Sequence, residues 1–246
     1  MRIALLGDIH GNLEAFEAVL THAARLVPDR MALLGDLVGY GADPVAVVSI
    51  AEALAEAGAI VLKGNHDAAV EEQAPDMNQQ ALEAIRWTRD RLGPAQRAFL
   101  AGLPLTATID DMLLVHAAAN QPATWPYVTS ARAAERSLGA TTARVVGAGH
   151  TPGPALHARQ PNGVAVTHTP VTGTTIPLAR HRRWHAILGA VGQPRDGDPA
   201  AAYALFDTGQ GTITFHRVGY DTARAAAKIL AAGLPHALAH RLGQGR

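Results

Sequence analysis

The chain has 246 residues, nearly half of them apolar, which is enough for one large core filled mainly by Ala, Leu and Val. Formal charge balances to zero and lysine occurs only at Lys63 and Lys228, so no basic stripe is available to follow a nucleic-acid backbone, and a nucleic-acid partner is not expected. With no cysteine, disulfides and thiolate metal sites are excluded together, and His, Asp, Glu and Asn remain as the ligands any metal would use.

The opening apolar run from Met1 meets Gly7-Asp8 far short of the roughly 20 residues a membrane span needs, which points to a soluble, cytoplasmic protein with no membrane partner. Ile3 to Leu6 is continuous rather than alternating, the pattern of a parallel strand buried on both faces. Leu13, Phe16, Val19, Leu20 and Ala23 then recur at helical spacing until Val27-Pro28, where proline biases its predecessor out of the helix. The unit repeats. Met31 to Leu34 reads as a strand, Asp43 as an N-cap, Pro44 as a first-turn proline, and Val45 to Ala57 as a helix closed by Gly58. Ile60 to Leu62 gives a third strand, and strands alternating with helices at this interval predict βαβ units with a parallel core.

From Asn78 to Leu103 the pattern is helical and broken at Gly93-Pro94, and the segment from about Ala74 to Leu103 is expected to cap a site. Strand signals return at Met112 to Val115 and Arg144 to Val146, on either side of a helix through Ala131 to Leu138. Thr151 to Arg195 is rich in Pro, Gly, Thr and His without a sustained period, and the segment from about Gly153 to Arg195 is expected to form a pocket wall. Tyr203 to Phe206 and Thr212 to Phe215 bracket a turn as a hairpin does, and an Ala-rich helix runs from an Asp221 cap to Leu234. No linker or repeat divides the chain, so residues 1–246 are read as a single domain.

Each apolar strand ends in a residue able to bind a metal: Gly7-Asp8-Ile9-His10, Gly35-Asp36, Gly64-Asn65-His66-Asp67, His116 and Gly149-His150. Taken singly, each is an ordinary turn or strand-end residue. In open α/β sheets, however, the carboxyl ends of the strands form the crevice where ligands bind, so these termini should converge. Two carboxylates, three imidazoles and an amide make a mixed N/O set suited to Mn, Fe or Zn rather than an all-oxygen Ca or Mg cage. Gly7, Gly35, Gly64 and Gly149 are expected where the backbone turns sharply off its strand toward a shared centre.

Gly-Asp-Ile-His, Gly-Asp-x-x-x-x-Gly from Gly35 to Gly41, Gly-Asn-His-Asp, a lone strand-end His and Gly-His-Thr resemble, in order, the signatures of calcineurin-like metallophosphoesterases. Gly192-Gln-Pro-Arg-Asp-Gly197 and the strand at Tyr203 are similar to the bacterial phosphodiesterase and diadenosine-polyphosphatase-like branch. The resemblance implies a four-layer α/β/β/α sandwich with mixed, partly parallel sheets. It also implies two divalent cations acting through a bridging hydroxide on a small phosphorylated or nucleotide substrate. By the same resemblance Asp8 and His10 hold the first metal, Asp36 bridges, and Asn65, His116 and His150 complete the second. His66 stays off the metals and acts on the phosphoryl or leaving oxygen, Asp67 fixes its tautomer, and Asn12 and Arg195 touch substrate.

One departure stands out. The family's last motif is Gly-His-x-His, and here Pro152 occupies the final position, so weaker occupancy is expected at the first metal unless another group, such as His157, moves in. The other histidines are read as surface residues. Two rival readings accompany the hydrolase: a non-catalytic scaffold of the same fold, kept open by Pro152, and a nuclease, disfavoured by the balanced charge.

Overall fold

In the computed structural model, which describes residues 1–72, 77–160 and 163–246, the first half of the chain follows the predicted alternation. Strands β1 (Arg2–Leu6), β2 (Arg30–Leu33) and β3 (Ile60–Val61) are parallel neighbours, connected through helices α1 (Leu13–Arg25) and α2 (Pro44–Glu56). After the single turn α3 (Asn65–Ala68) come α4 (Gln79–Arg89) and α5 (Pro94–Gly102), separated at Gly93-Pro94 as expected. Next are β4 (Thr106–Ile109), β5 (Met112–Val115), α6 (Ala131–Gly139) and β6 (Val145–Ala148). The proline- and glycine-rich stretch is not irregular: it contains β7 (Ala155–Arg159), β8 (Ala165–His168), β9 (Thr175–Pro177) and β10 (Arg183–Ile187). The chain finishes with the hairpin β11 (Ala201–Asp207) and β12 (Thr212–Val218), then α7 (Thr222–Ala231) and α8 (His236–Leu242).

The strands form two six-stranded sheets, ordered β3-β2-β1-β11-β12-β9 and β4-β5-β6-β10-β7-β8. Both are mixed: the parallel sets β1-β2-β3 and β5-β6-β10 are flanked by antiparallel partners. Side-chain alternation along β1 shows how the layers stack. Ile3 and Leu5 enter the apolar layer between the sheets with Leu114, Trp184, Ala186 and Phe206, whereas Ala4 and Leu6 face Phe16, Val19, Val47 and Ala51 of α1 and α2. On the far side, α6 covers the second sheet through Leu138 against Val115, Val146 and Ala148. The result is the four-layer α/β/β/α order. It explains why the opening strand reads as an unbroken apolar run: both its faces are covered.

Two local expectations change. Asp43 precedes α2, and Pro44 occupies its first turn, but the carboxylate makes no capping hydrogen bond; it takes Lys228 Nζ at 2.9 Å, and Glu14 takes the same ammonium at 2.6 Å. The helical segment expected as a cap is only partly one. Residues 74–76 lie outside the described residues, and α5 joins the outer core through Leu100 beside Val47, Val48 and Ala51. Among the described residues of the segment, only Met77, Asn78 and Ala81, at and just before the start of α4, face the cavity described below.

Candidate metal centre

The strand ends converge as the topology requires, and the backbone adopts an unusual conformation to achieve it. Asp8, His10, Asp36 and His150 all sit in the left-handed region, at φ of 57°, 52°, 52° and 60°. Asp and His tolerate that region better than most residues, though each instance still costs on the order of 1–3 kcal/mol. Of the four glycines expected to make these turns, only Gly35 itself has a positive φ. The value of Gly64 and Gly149 lies in close approach. A Cβ on Gly64 would run into the Asp36 carboxylate and amide, and one on Gly149 would come 2.5 Å from Asp8 Oδ2. Backbone bonds from Asp8 N to Gly35 O (3.1 Å), His10 N to Asp36 O (2.8 Å) and Gly149 N to His116 O (2.9 Å) tie the loops together.

Hydrogen bonding then settles which atoms point inward. His116 Nδ1 lies 2.7 Å from Leu34 O and must donate to it, so it is Nε2 that presents a lone pair when the ring is neutral. That lone pair faces other acceptors: Asn65 Oδ1 at 3.1 Å, His150 Nδ1 at 3.2 Å and Asp36 Oδ2 at 3.4 Å. His10 repeats the pattern. Its Nδ1 donates to Val38 O at 3.3 Å, and the opposite nitrogen, left without a partner, faces Asp36 Oδ2 at 3.8 Å and Asp8 Oδ1 at 3.9 Å. Asp36 Oδ2 therefore belongs to both sets, while its Oδ1 accepts His66 N at 2.8 Å. Buried acceptors that converge on one another are stable only around a positive charge, and the N/O character of both sets fits divalent cations.

Electrostatics agree with this arrangement. Burial, reinforced by neighbouring imidazoles, pulls His10 well below the ordinary range, His66 down to about 4 and His150 down to about 3, so these rings are neutral, with lone pairs free. Burial alone would raise Asp36, yet His116 and His66 beside it hold its carboxyl well below the usual range. Burial opposes the proton on His116, but the Asp36 carboxylate outweighs it and lifts the imidazole to about 9. His116 thus shows where the centre most demands positive charge.

The structure corrects three expected roles. Asp67 does not touch the His66 ring: Oδ1 accepts Leu37 N at 2.9 Å and Val38 N at 3.3 Å, Oδ2 accepts Gly64 N at 2.9 Å, and His66 Nδ1 has no partner among the described residues. Asn12, expected at the substrate, uses both ends of its amide on the fold, capping α1 through Ala15 N at 3.1 Å and donating to Gly192 O at 2.7 Å. His157 does not fill the position left by Pro152. It is buried in the second sheet, bonded to Thr167 Oγ1 at 2.9 Å and paired across strands with His185, which reaches Ser137 of α6 at 3.1 Å. Both are core histidines, and His22 and His216 are half-buried around Tyr203, so the surface reading holds only for His168, His181, His236 and His240.

Several site residues were not anticipated. Tyr40, also left-handed at φ 62°, packs 4.6 Å from the His10 ring and 4.5 Å from His66. Tyr127 stacks on His150 at 3.9 Å, and Trp125, at φ 54°, stands 5.7 Å from His116. These aromatics, with Asn65, His66 and the start of α4, line a cavity of about 400 Å³ beside the centre. The Arg195 guanidinium lies 5.8 Å from the Tyr40 ring, and Arg241 of α8 lies 5.1 Å from the same ring. The Gly-Asp-x-x-x-x-Gly motif already contained Tyr40, whereas nothing in the sequence announced α8 or its arginine.

Comparison with known proteins agrees with this geometry. The sequence pattern of the calcineurin-like phosphoesterase family matches residues 1–186. An uncharacterized protein of Methanocaldococcus jannaschii is 31% identical over 250 residues, spanning 99% of this chain and 98% of its own length. The crystal structure of a metallophosphoesterase from Sphaerobacter thermophilus superposes with a TM-score of 0.88 at 37% identity, covering 100% of this chain and 99% of that one. A hypothetical protein from Pyrococcus horikoshii shares the fold at 18% identity, with a TM-score of 0.81 and coverage of 100% and 98%. The chain belongs to the calcineurin-like phosphoesterase family. Membership supports a phosphoesterase-type, metal-dependent hydrolase, and the buried His/Asp groups can hold the divalent ions that the family implies. No helix among the described residues is long and apolar enough to cross a membrane.

Proposed function

We propose that the protein is a single-domain hydrolase of small phosphoesters that works with two divalent cations of the Mn, Zn or Fe type. The observation that carries this reading is the shared oxygen of Asp36, set between the Asp8/His10 group and the Asn65/His116/His150 group. Bound there, the cations would polarise phosphoryl oxygens and lower the pKa of a water so that it can attack phosphorus in line. The chain's own groups prepare that event. Leu34 O and Val38 O fix the tautomers of His116 and His10, and His66 N orients the Asp36 carboxylate. His66 sits at the cavity edge with a ring nitrogen to donate to the phosphoryl or leaving oxygen, and Arg195 brings positive charge near Asp8 and His10. The cavity beside Trp125 and Tyr127 has room for the body of a nucleotide-sized ester.

The test uses metal-stripped protein resupplied with Mn, with metal counted per chain, on p-nitrophenyl phosphate and bis-p-nitrophenyl phosphate. Metal-dependent turnover that His66→Ala abolishes is the expected result. Two bound metals without turnover on these or on nucleotide esters, or barely one metal bound, would sink the hydrolase reading and favour a scaffold, with Pro152 the residue responsible.

A further inference from the structure

Arg195 and Arg241 reach the Tyr40 ring from widely separated parts of the chain, the loop after Gly192 and the last helix. Among the described residues, neither guanidinium lies within ion-pair distance of a carboxylate. Other arginines nearby do find partners: Arg217 is paired with Asp196 and Asp198, immediately beyond Arg195 in the chain. Among the described residues the Nε of each of the two is buried without a hydrogen-bond partner; Arg241 reaches Gln193 Oε1 through Nη2, at 2.7 Å, and also hydrogen-bonds the Tyr40 side chain. Like charges held together, partly desolvated and unpaired, destabilise a fold unless an anion joins them. Their mutual repulsion registers on Arg241, whose pKa is lowered, first by burial and also by Arg195.

Their position indicates which anion. Tyr40, over which both lie, touches His66 and His10 and lines the cavity, so the pair stands one ring's width from the metal centre, on its His10 side. A phosphoryl group on the metals already has the cations and His66. A pair of forked donors one residue further out matches a second phosphoryl group attached to the first. We propose that Arg195 and Arg241 form a clamp for a second phosphoryl group, which makes Arg241 a specificity-determining residue and diphosphate-bearing esters the preferred substrate class. The proposal rests on the phosphoesterase reading above for the location of the first phosphoryl group.

Calorimetric titration of the Mn-loaded protein at fixed free Mn, with adenosine monophosphate and α,β-methylene adenosine diphosphate, isolates the contribution of one added phosphoryl group. The wild type should bind the diphosphate analogue at least tenfold more tightly, and Arg241→Met and Arg195→Met should each reduce that preference below threefold, with Arg241→Lys keeping part of it. If one anion bridges both guanidiniums, the double variant loses little more than either single one. Equal affinities in the wild type would overturn the clamp. So would variants that weaken both nucleotides in parallel with a fall in melting temperature, because that is the signature of a packing role around Tyr40. Turnover of p-nitrophenyl esters without a diphosphate preference removes the clamp alone, whereas a preserved preference without turnover on any ester removes the hydrolase reading alone.

Discussion

Replacing Asp67 with Ala separates two accounts of this carboxylate. In the structure it accepts three backbone amides, from Leu37, Val38 and Gly64, and so pins the loop after β2 to the turn that follows β3. Truncation strands those buried donors. Hydrogen bonds to a charged group are worth about 1.5–3 kcal/mol each, and with allowance for non-additivity the loss should be about 3–6 kcal/mol. For a chain of this size that is a fall in melting temperature of roughly 10–20 °C. Asp67→Asn keeps an acceptor for Leu37 and Val38 but turns an amide donor toward Gly64 N–H, and should fall between Ala and the parent. Thermal unfolding is to be followed in chelator, so that lost metal binding does not enter the difference, with His66→Ala alongside, since the His66 ring has no hydrogen-bond partner to lose at Nδ1. If Asp67→Ala melts within a few degrees of the parent and loses turnover as His66→Ala does, the carboxylate acts on the imidazole after all and the loop-pinning argument is wrong.

Three further outcomes are expected. Gly64→Ala places a methyl against the Asp36 carboxylate, so metal content measured by mass spectrometry should drop below that of the parent even where the protein stays folded; full occupancy would refute the close-approach argument. Mn titration should resolve a tighter and a weaker event, with His10→Ala removing the weaker, because Pro152 offers no ligand to the Asp8/His10 group; two equal sites would contradict this. His185 is lowered to about 3, by burial and then by His157, so folding holds it neutral while the unfolded chain titrates near 6.5. Its folded value lies below its unfolded value, so the penalty is absent above pH 6.5 and grows as pH falls, reaching about 2 kcal/mol at pH 5. In metal-free protein His185→Gln should flatten the fall of the urea midpoint between pH 7 and pH 5, and an unchanged slope would show that other groups set it.

How much could be read in advance depended on how local the signal was. β1, α1, α2 and α6 were legible because each must bury a stripe or a face and carries the matching period. β7 to β10 were not. They are short, and β8 and β9 are largely exposed, so their residues follow no period, and pairing with distant strands makes them strands. The convergence of Asp8, His10, Asp36, Asn65, His116 and His150 was legible because strand order in an α/β sheet dictates it. The partners of Asp67 and Asn12 could not be read, since whether a carboxylate meets a ring or a backbone amide is decided by loops approaching within a few ångströms.

The left-handed backbone at Asp8, His10, Asp36 and His150 limits how this centre could change over evolution or in the laboratory. At such positions the main chain weighs on the side chain before the metal does, favouring Asp, Asn, His and Gly and penalising longer or β-branched residues, although Tyr40 and Trp125 show that the penalty can be borne. Exchanges that would retune the metal by a Glu or a Gln carry that penalty at those four points, while Asp-to-Asn, Asp-to-His and His-to-Asn escape most of it. His116, outside this filter, is held by its bond to Leu34 O instead. Drift in metal preference therefore meets least resistance through a narrow alphabet of short ligands, or through the residues that surround them.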